Sequence, residues 1–132
     1  MIVVDASVLA DALVDDGDVG KRARAALSED THWVAPAHVL VEVLSVVRGK
    51  VLGGKLGIER ADEAVLSMIE LAIEQVDPIT VVARMWELRD NVTAYDAAYL
   101  AVAEAVDAPF VTGDARLARA TGVRCKVRLV GC

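Results

Sequence analysis

Short, wholly apolar runs alternate with longer stretches of helical period, and this alternation limits the fold more than any other feature of the chain. Ile2-Val-Val4 is β-branched, too short for a helix, and lacks the polar alternation of a half-exposed strand. Phe110-Val111 and residues 127–130 read the same way, and residues 75–77, just before Pro78, are a further strand candidate. A strand apolar on both faces is buried on both faces, as in a parallel sheet covered by helices. Helical periods fall at 7–13, 18–27, 79–88, 93–106 and 115–120, and at 58–74, where Val65, Met68, Ile69, Ala72 and Ile73 share a face. Pro36 suits the first turn of another helix that carries Val39, Leu40, Val43, Leu44 and Val47 inward. Glycines 49, 53, 54 and 57 then break it. The whole predicts an α/β sandwich with helices flanking a mostly parallel central sheet.

With 132 residues, 55% of them hydrophobic, the chain forms one domain over residues 1–132 and is too apolar for disorder. The apolar stretch 33–47 is broken by Pro36, His38 and Glu42, so no segment reads as a membrane span. The first residues lack a basic region and carry Asp5 and Asp11, unlike a signal peptide. Cys125 and Cys132 match no zinc or redox spacing, so a reduced, cytoplasmic setting is expected. Five aromatics argue against a protein that stacks bases, and a net charge of -6 argues at first sight against a polyanionic partner. The charge is uneven, however. Residues 1–20 hold five acids and no base, whereas residues 115–132 hold five bases and no acid.

Four acids stand at positions that favour chemistry. Glu42 interrupts an apolar helical run, where an unpaired carboxylate is costly unless a neighbour such as Arg48 compensates. Asp5 closes the first strand and Asp114 follows the strand at Phe110 by way of Gly113. Ligands of parallel sheets bind at the carboxyl ends of strands, although each aspartate could equally cap the next helix. Asp96 lies three residues after Thr93, a capping-box spacing, at the start of an otherwise apolar helix. Ser7 and Thr112 add hydroxyls beside Asp5 and Asp114. Four carboxylates brought together from four elements repel one another unless a cation holds them. Hard oxygen donors without a Cys or His cluster suit Mg²⁺, with Mn²⁺ as a substitute. Such an ion polarises phosphate and generates hydroxide from water, which points to phosphodiester hydrolysis.

Val3-Val-Asp5-Ala-Ser7, Glu42 after Pro36, Thr93-Ala-Tyr-Asp96-Ala-Ala-Tyr-Leu-Ala and Val111-Thr-Gly-Asp114-Ala-Arg-Leu, in this order and spacing, resemble the PIN-domain ribonucleases. Within these the chain is most similar to the VapC toxins of bacterial VapBC toxin–antitoxin systems, along essentially its whole length. The resemblance implies a PIN-like three-layer sandwich and a Mg²⁺-dependent endoribonuclease, usually homodimeric and restrained by a VapB antitoxin. It assigns Asp5, Glu42, Asp96 and Asp114 as the acidic quartet, with Ser7 and Thr112 in support. On this view Asp5, Asp96 and Asp114 hold the metal directly or through water, while Glu42 orients or deprotonates the attacking water. Arg48, Arg89, Arg116 and Arg119 are candidates to meet RNA phosphates.

Other readings fit less well. Residues 49–55 follow most of a phosphate-binding P-loop, but Leu56 stands where Ser or Thr is needed. A receiver-type domain needs a late lysine, and none occurs between Lys55 and Lys126; a haloacid-dehalogenase-type site needs an acid where Ser7 stands. His32 and His38 have no evident triad partners. A PIN-like module that only binds RNA or a partner would be expected to have lost some of the acids. Setting the quartet aside takes the net charge from -6 to -2, and the bases are ten arginines against four lysines, so the acid excess does not exclude RNA.

Overall fold

The structure, a computed structural model, describes residues 1–131; Cys132 lies outside the described residues. Five strands form one sheet: β1 (Ile2–Val4), β2 (Trp33–Pro36), β3 (Ile73–Val76), β4 (Phe110–Thr112) and β5 (Val127–Leu129). Their order is β3-β2-β1-β4-β5 and every pairing is parallel. The helices are α1 (Ala6–Val14), α2 (Asp18–Ser28), α3 (Val39–Leu52), α4 (Ile58–Ile69), α5 (Val82–Glu87), α6 (Ala94–Val106) and α7 (Ala115–Ala118).

Right-handed crossovers turn this order into three layers. From β1 to β2 to β3 the chain advances in one direction, which puts α1 to α4 on one face, and α1 packs against α2, α3 and α4. From β3 the chain returns past β1 to β4, which carries α5 and α6 to the opposite face, where α6 covers β1, β2 and β4. The direction of winding thus switches between β1 and β4. Open parallel sheets bind their ligands outside the carboxyl ends of the strands at such a point.

The centre of the sheet is apolar as expected, with Ile2, Val3, Val4, Phe110 and Val111 buried. Seven successive residues of α6, Ala97 to Ala103, are buried too, and four of them are alanines that let the helix lie close to the sheet. Phe110 stacks on Tyr99 of this helix, ring centres 5.6 Å apart.

Several expectations are corrected. Pro36 ends a strand instead of opening a helix, and α3 begins at Val39. Proline is tolerated there because the pairing of β2 with β1 stops at Val34, so Pro36 faces only β3. The helix expected over 58–74 stops at Ile69, and Ile73–Val76 pairs with β2 along its whole length; pairing overrides a helical period that continued past the end. Leu44 and Ile69, expected inward, are exposed, and Pro78–Val81 is a 3₁₀ turn ahead of α5. Phe110→Ala is expected to lower the unfolding free energy by about 3–5 kcal/mol in urea denaturation, through lost burial and the cavity left against Tyr99.

Candidate metal centre and its surroundings

β1 ends at Val4, and Asp5 takes extended backbone angles as the N-cap of α1, its Oδ1 accepting from Ser7 N at 3.4 Å. β4 ends at Thr112, and Asp114 caps α7 in the same way. The two strand ends are tied together by Thr112, which is fully buried. Its hydroxyl donates to Asp5 Oδ2 at 2.6 Å and accepts from Asp114 N at 3.1 Å. One hydroxyl therefore uses its proton and a lone pair to set both loops. From the other face, Thr93 caps α6 and accepts from Asp96 N at 3.2 Å, which fixes Asp96 in the first turn. The helix-cap readings of Asp5 and Asp114 hold, and each of the two capping residues also lines the cleft.

Asp5, Ser7, Asp96 and Asp114 line one open cleft of about 480 Å³, together with Asp11, Gly113 and Ala115. Burial raises the Asp96 carboxyl above the usual carboxylate range, and the charges of Asp5 and Asp114 push the same way against the Thr93 hydroxyl and Arg116. Asp114 is shifted downward, chiefly by the Arg116 guanidinium, which makes a forked pair with it: Nε to Oδ1 at 3.1 Å and Nη2 to Oδ2 at 2.7 Å.

Glu42 does not line this cleft. It stands half-buried on α3, accepting from Tyr99 Oη at 3.1 Å. His38 Nε2 approaches the same oxygen to 2.8 Å but off the hydrogen-bonding direction, so this buried nitrogen makes no hydrogen bond. Burial raises the Glu42 carboxyl, with His38 and Tyr99 opposing and Asp5 and Asp96 adding to the rise, so the fourth acid is near enough to feel the cluster. Burial also raises the Tyr99 phenol, which therefore stays a donor to Glu42.

Of the arginine candidates, Arg89 and Arg116 line a second cleft that adjoins the first through Asp96, and Arg119 is near enough to lower Asp114. Arg48 lies elsewhere, in an apolar groove between α3 and α4. Asp11 was not foreseen. It lies four residues beyond Ser7, one helical turn on the same face of α1, and burial raises its carboxyl while Lys50 lowers it. That spacing was the available signal. Tyr99 and His38, the partners of Glu42, were also missed; the i,i+4 spacing of His38 and Glu42 was a cue for one of them.

The donors that face the cleft are oxygens, as a hard divalent cation requires. Among the described residues, no three acids, histidines or cysteines are already arranged to hold an ion by themselves. Mg²⁺ retains several waters and takes only one or two carboxylates directly. Cys125 offers no competing soft site: burial pushes its thiol up to about 11.

The chain matches the PIN domain family over residues 2–123. It is 38% identical to ribonuclease VapC1 of Mycobacterium tuberculosis (strain ATCC 25618 / H37Rv) over 130 residues, which cover 97% of this chain and 96% of that protein. With ribonuclease VapC9 of the same strain it shares 35% identity, with 98% of each chain covered. Among solved structures, Mycobacterium tuberculosis VapC20, a toxin that cleaves the sarcin–ricin loop, superposes with a TM-score of 0.69 at 18% identity, covering 94% of this chain and 97% of that one. VapBC2 from Rickettsia felis, bound to a DNA fragment from its promoter, gives a TM-score of 0.69 at 16% identity and covers 99% and 100%. The protein belongs to the PIN-domain family, in its VapC branch.

The raised pKa of Asp96 has a testable sign. An acid whose pKa is higher folded than unfolded binds more protons in the folded state, so its contribution to stability is lost as pH rises through the folded value. In EDTA, the unfolding free energy of Asp96→Asn minus that of the wild type is expected to grow as pH rises from about 4, the unfolded carboxylate range, and then level off. Paired urea titrations across pH check this, and a difference that is flat or shrinks with pH contradicts it.

Proposed function

We propose that this protein is a Mg²⁺-dependent endoribonuclease and the toxin of a toxin–antitoxin pair. The observation that carries the reading is the convergence of Asp5, Asp96 and Asp114 on one cleft at the switch point of the sheet, with Thr112 bracing two of them. The ribonuclease names of relatives that match nearly the whole chain supply the substrate class.

A divalent cation in the cleft supplies Lewis acidity toward phosphate and a more acidic bound water. Asp5, Asp96 and Asp114 would hold it, and its charge would offset the repulsion from Asp5 and Asp114 that adds to the burial raising Asp96. Glu42, held by Tyr99 Oη beside the cleft, would orient or deprotonate the attacking water through an intervening water, and its raised pKa suits that task. Ser7 lines the same cleft and supports Asp5 through its backbone N–H. Arg89, Arg116 and Arg119 meet the phosphates, whereas Arg48 stands apart.

Val41, Leu44, Leu52, Ile58, Leu66 and Ile69 are exposed along α3 and α4, an apolar strip fitted to a protein partner. The family reading supplies a VapB-type antitoxin and a second copy of the chain as such partners. No helix among the described residues is long and apolar enough to cross a membrane, and the reading places the protein in the cytoplasm with its RNA.

Purified protein is expected to cut RNA in Mg²⁺ or Mn²⁺ and to stop on addition of EDTA; cleavage indifferent to EDTA overturns the metal mechanism. Glu42→Gln is expected to slow cleavage by about 10²–10⁴-fold, the span of a positioned general base. Thr112→Val, which leaves Asp5 and Asp114 unbraced, is expected to cost about 10–100-fold in activity or metal affinity. A non-catalytic binding module would show RNA binding without cleavage under every metal condition.

A further inference from the structure

The second cleft, of about 470 Å³, shares Asp96 with the acidic one and has Arg89 and Arg116 on its walls. Arg89 is held in place from behind. Its guanidinium lies 4.7 Å from the centre of the Trp86 ring, and Nη1 donates to Trp86 O at 2.9 Å. Arg116 is paired with Asp114, but its side chain is 80% exposed, and an exposed ion pair is readily exchanged for another anion. Asp90 and Asp96 are the acids on the same walls. Both side chains thus bring guanidinium forks, which match the oxygens of a phosphate, to the walls of a cleft that adjoins the acidic one.

Resting on the ribonuclease reading, we propose that this cleft is a phosphate subsite, in which Arg89 and Arg116 grip the backbone phosphate neighbouring the one that is cut. Asp96 is the common wall, so a strand running from one cleft into the other sets its scissile phosphate by the grip on the next. Arg89 is a substrate-binding residue in this account, held by Trp86. Arg116 exchanges Asp114 for phosphate when RNA enters, which leaves Asp114, already on the wall of the acidic cleft, without its guanidinium partner. The subsite reads the backbone, so it provides affinity and register without sequence preference.

The test is RNA binding by the Asp5→Asn protein in EDTA, followed by fluorescence anisotropy of a labelled single-stranded RNA over a range of salt. Each phosphate contact on a single strand contributes about 0.7 to the slope of log K against log salt. Adding Arg89→Gln or Arg116→Gln to that protein is expected to lower the slope by about 0.7, and Arg89→Lys to restore it because charge is retained. Arg124→Gln, at the amino-terminal edge of the sheet near Pro109, is expected to leave the slope unchanged. An unchanged slope in both glutamine variants, or an equal loss in Arg124→Gln, overturns the subsite. Cleavage of the same RNA by the wild type in Mg²⁺, run in parallel, reports separately on the ribonuclease reading, so either can fail without the other.

Discussion

Repulsion among carboxylates at the ends of β1 and β4 is the constraint around which this end of the molecule is arranged. Asp5, Asp96 and Asp114 share an open cleft, and Asp96 is raised by burial and by the other two charges. A chain holding such a cluster must fix each acid by means other than attraction between them. Here Thr112 ties Asp5 to the Asp114 backbone across the sheet, Thr93 caps the turn that carries Asp96, and Tyr99 holds Glu42 from behind. The hydroxyls keep the acids in place without a cation, and the cation proposed for this cleft would offset the repulsion.

The fold is subordinate to that edge. Parallel strands point their carboxyl ends in one direction, and the reversal of winding between β1 and β4 opens a crevice at their ends. The buried alanines of α6 let that helix lie flat on the sheet, which brings its first turn, with Asp96, to the same crevice. Small side chains further along the same helix thus help to set the position of Asp96.

Much of this was legible in the chain because local rules and tertiary outcome agree. Ile2-Val-Val4 and Phe110-Val111 are buried strands for the reason their apolar character gives, and the acids that follow them lie at the cleft. The strand at Trp33–Pro36 was hidden by a proline tolerated only because one neighbour strand ends early, which no local pattern reveals. The helix at 58–74 was read too long because its apolar period continues into residues that pair as β3. Glu42 is paired with Tyr99 of α6 and Arg48 lies in a groove between α3 and α4, contacts between elements that the sequence of α3 alone does not reveal. Asp11 escaped notice for the converse reason: a polar residue on a helix looks like solvent-facing surface until the neighbouring strand end is placed beside it.

The central claim is that this acidic cleft binds a divalent cation through Asp5 and Asp96. Mn²⁺ titration, followed by the electron paramagnetic resonance signal of the free ion, reads that binding with no RNA present. Saturable binding to the wild type is expected, displaced by excess Mg²⁺, weakened in Thr112→Val and lost in the Asp5→Asn/Asp96→Asn double variant while that protein remains folded by circular dichroism. Binding of undiminished strength in the folded double variant, or no saturable binding to the wild type, would contradict it.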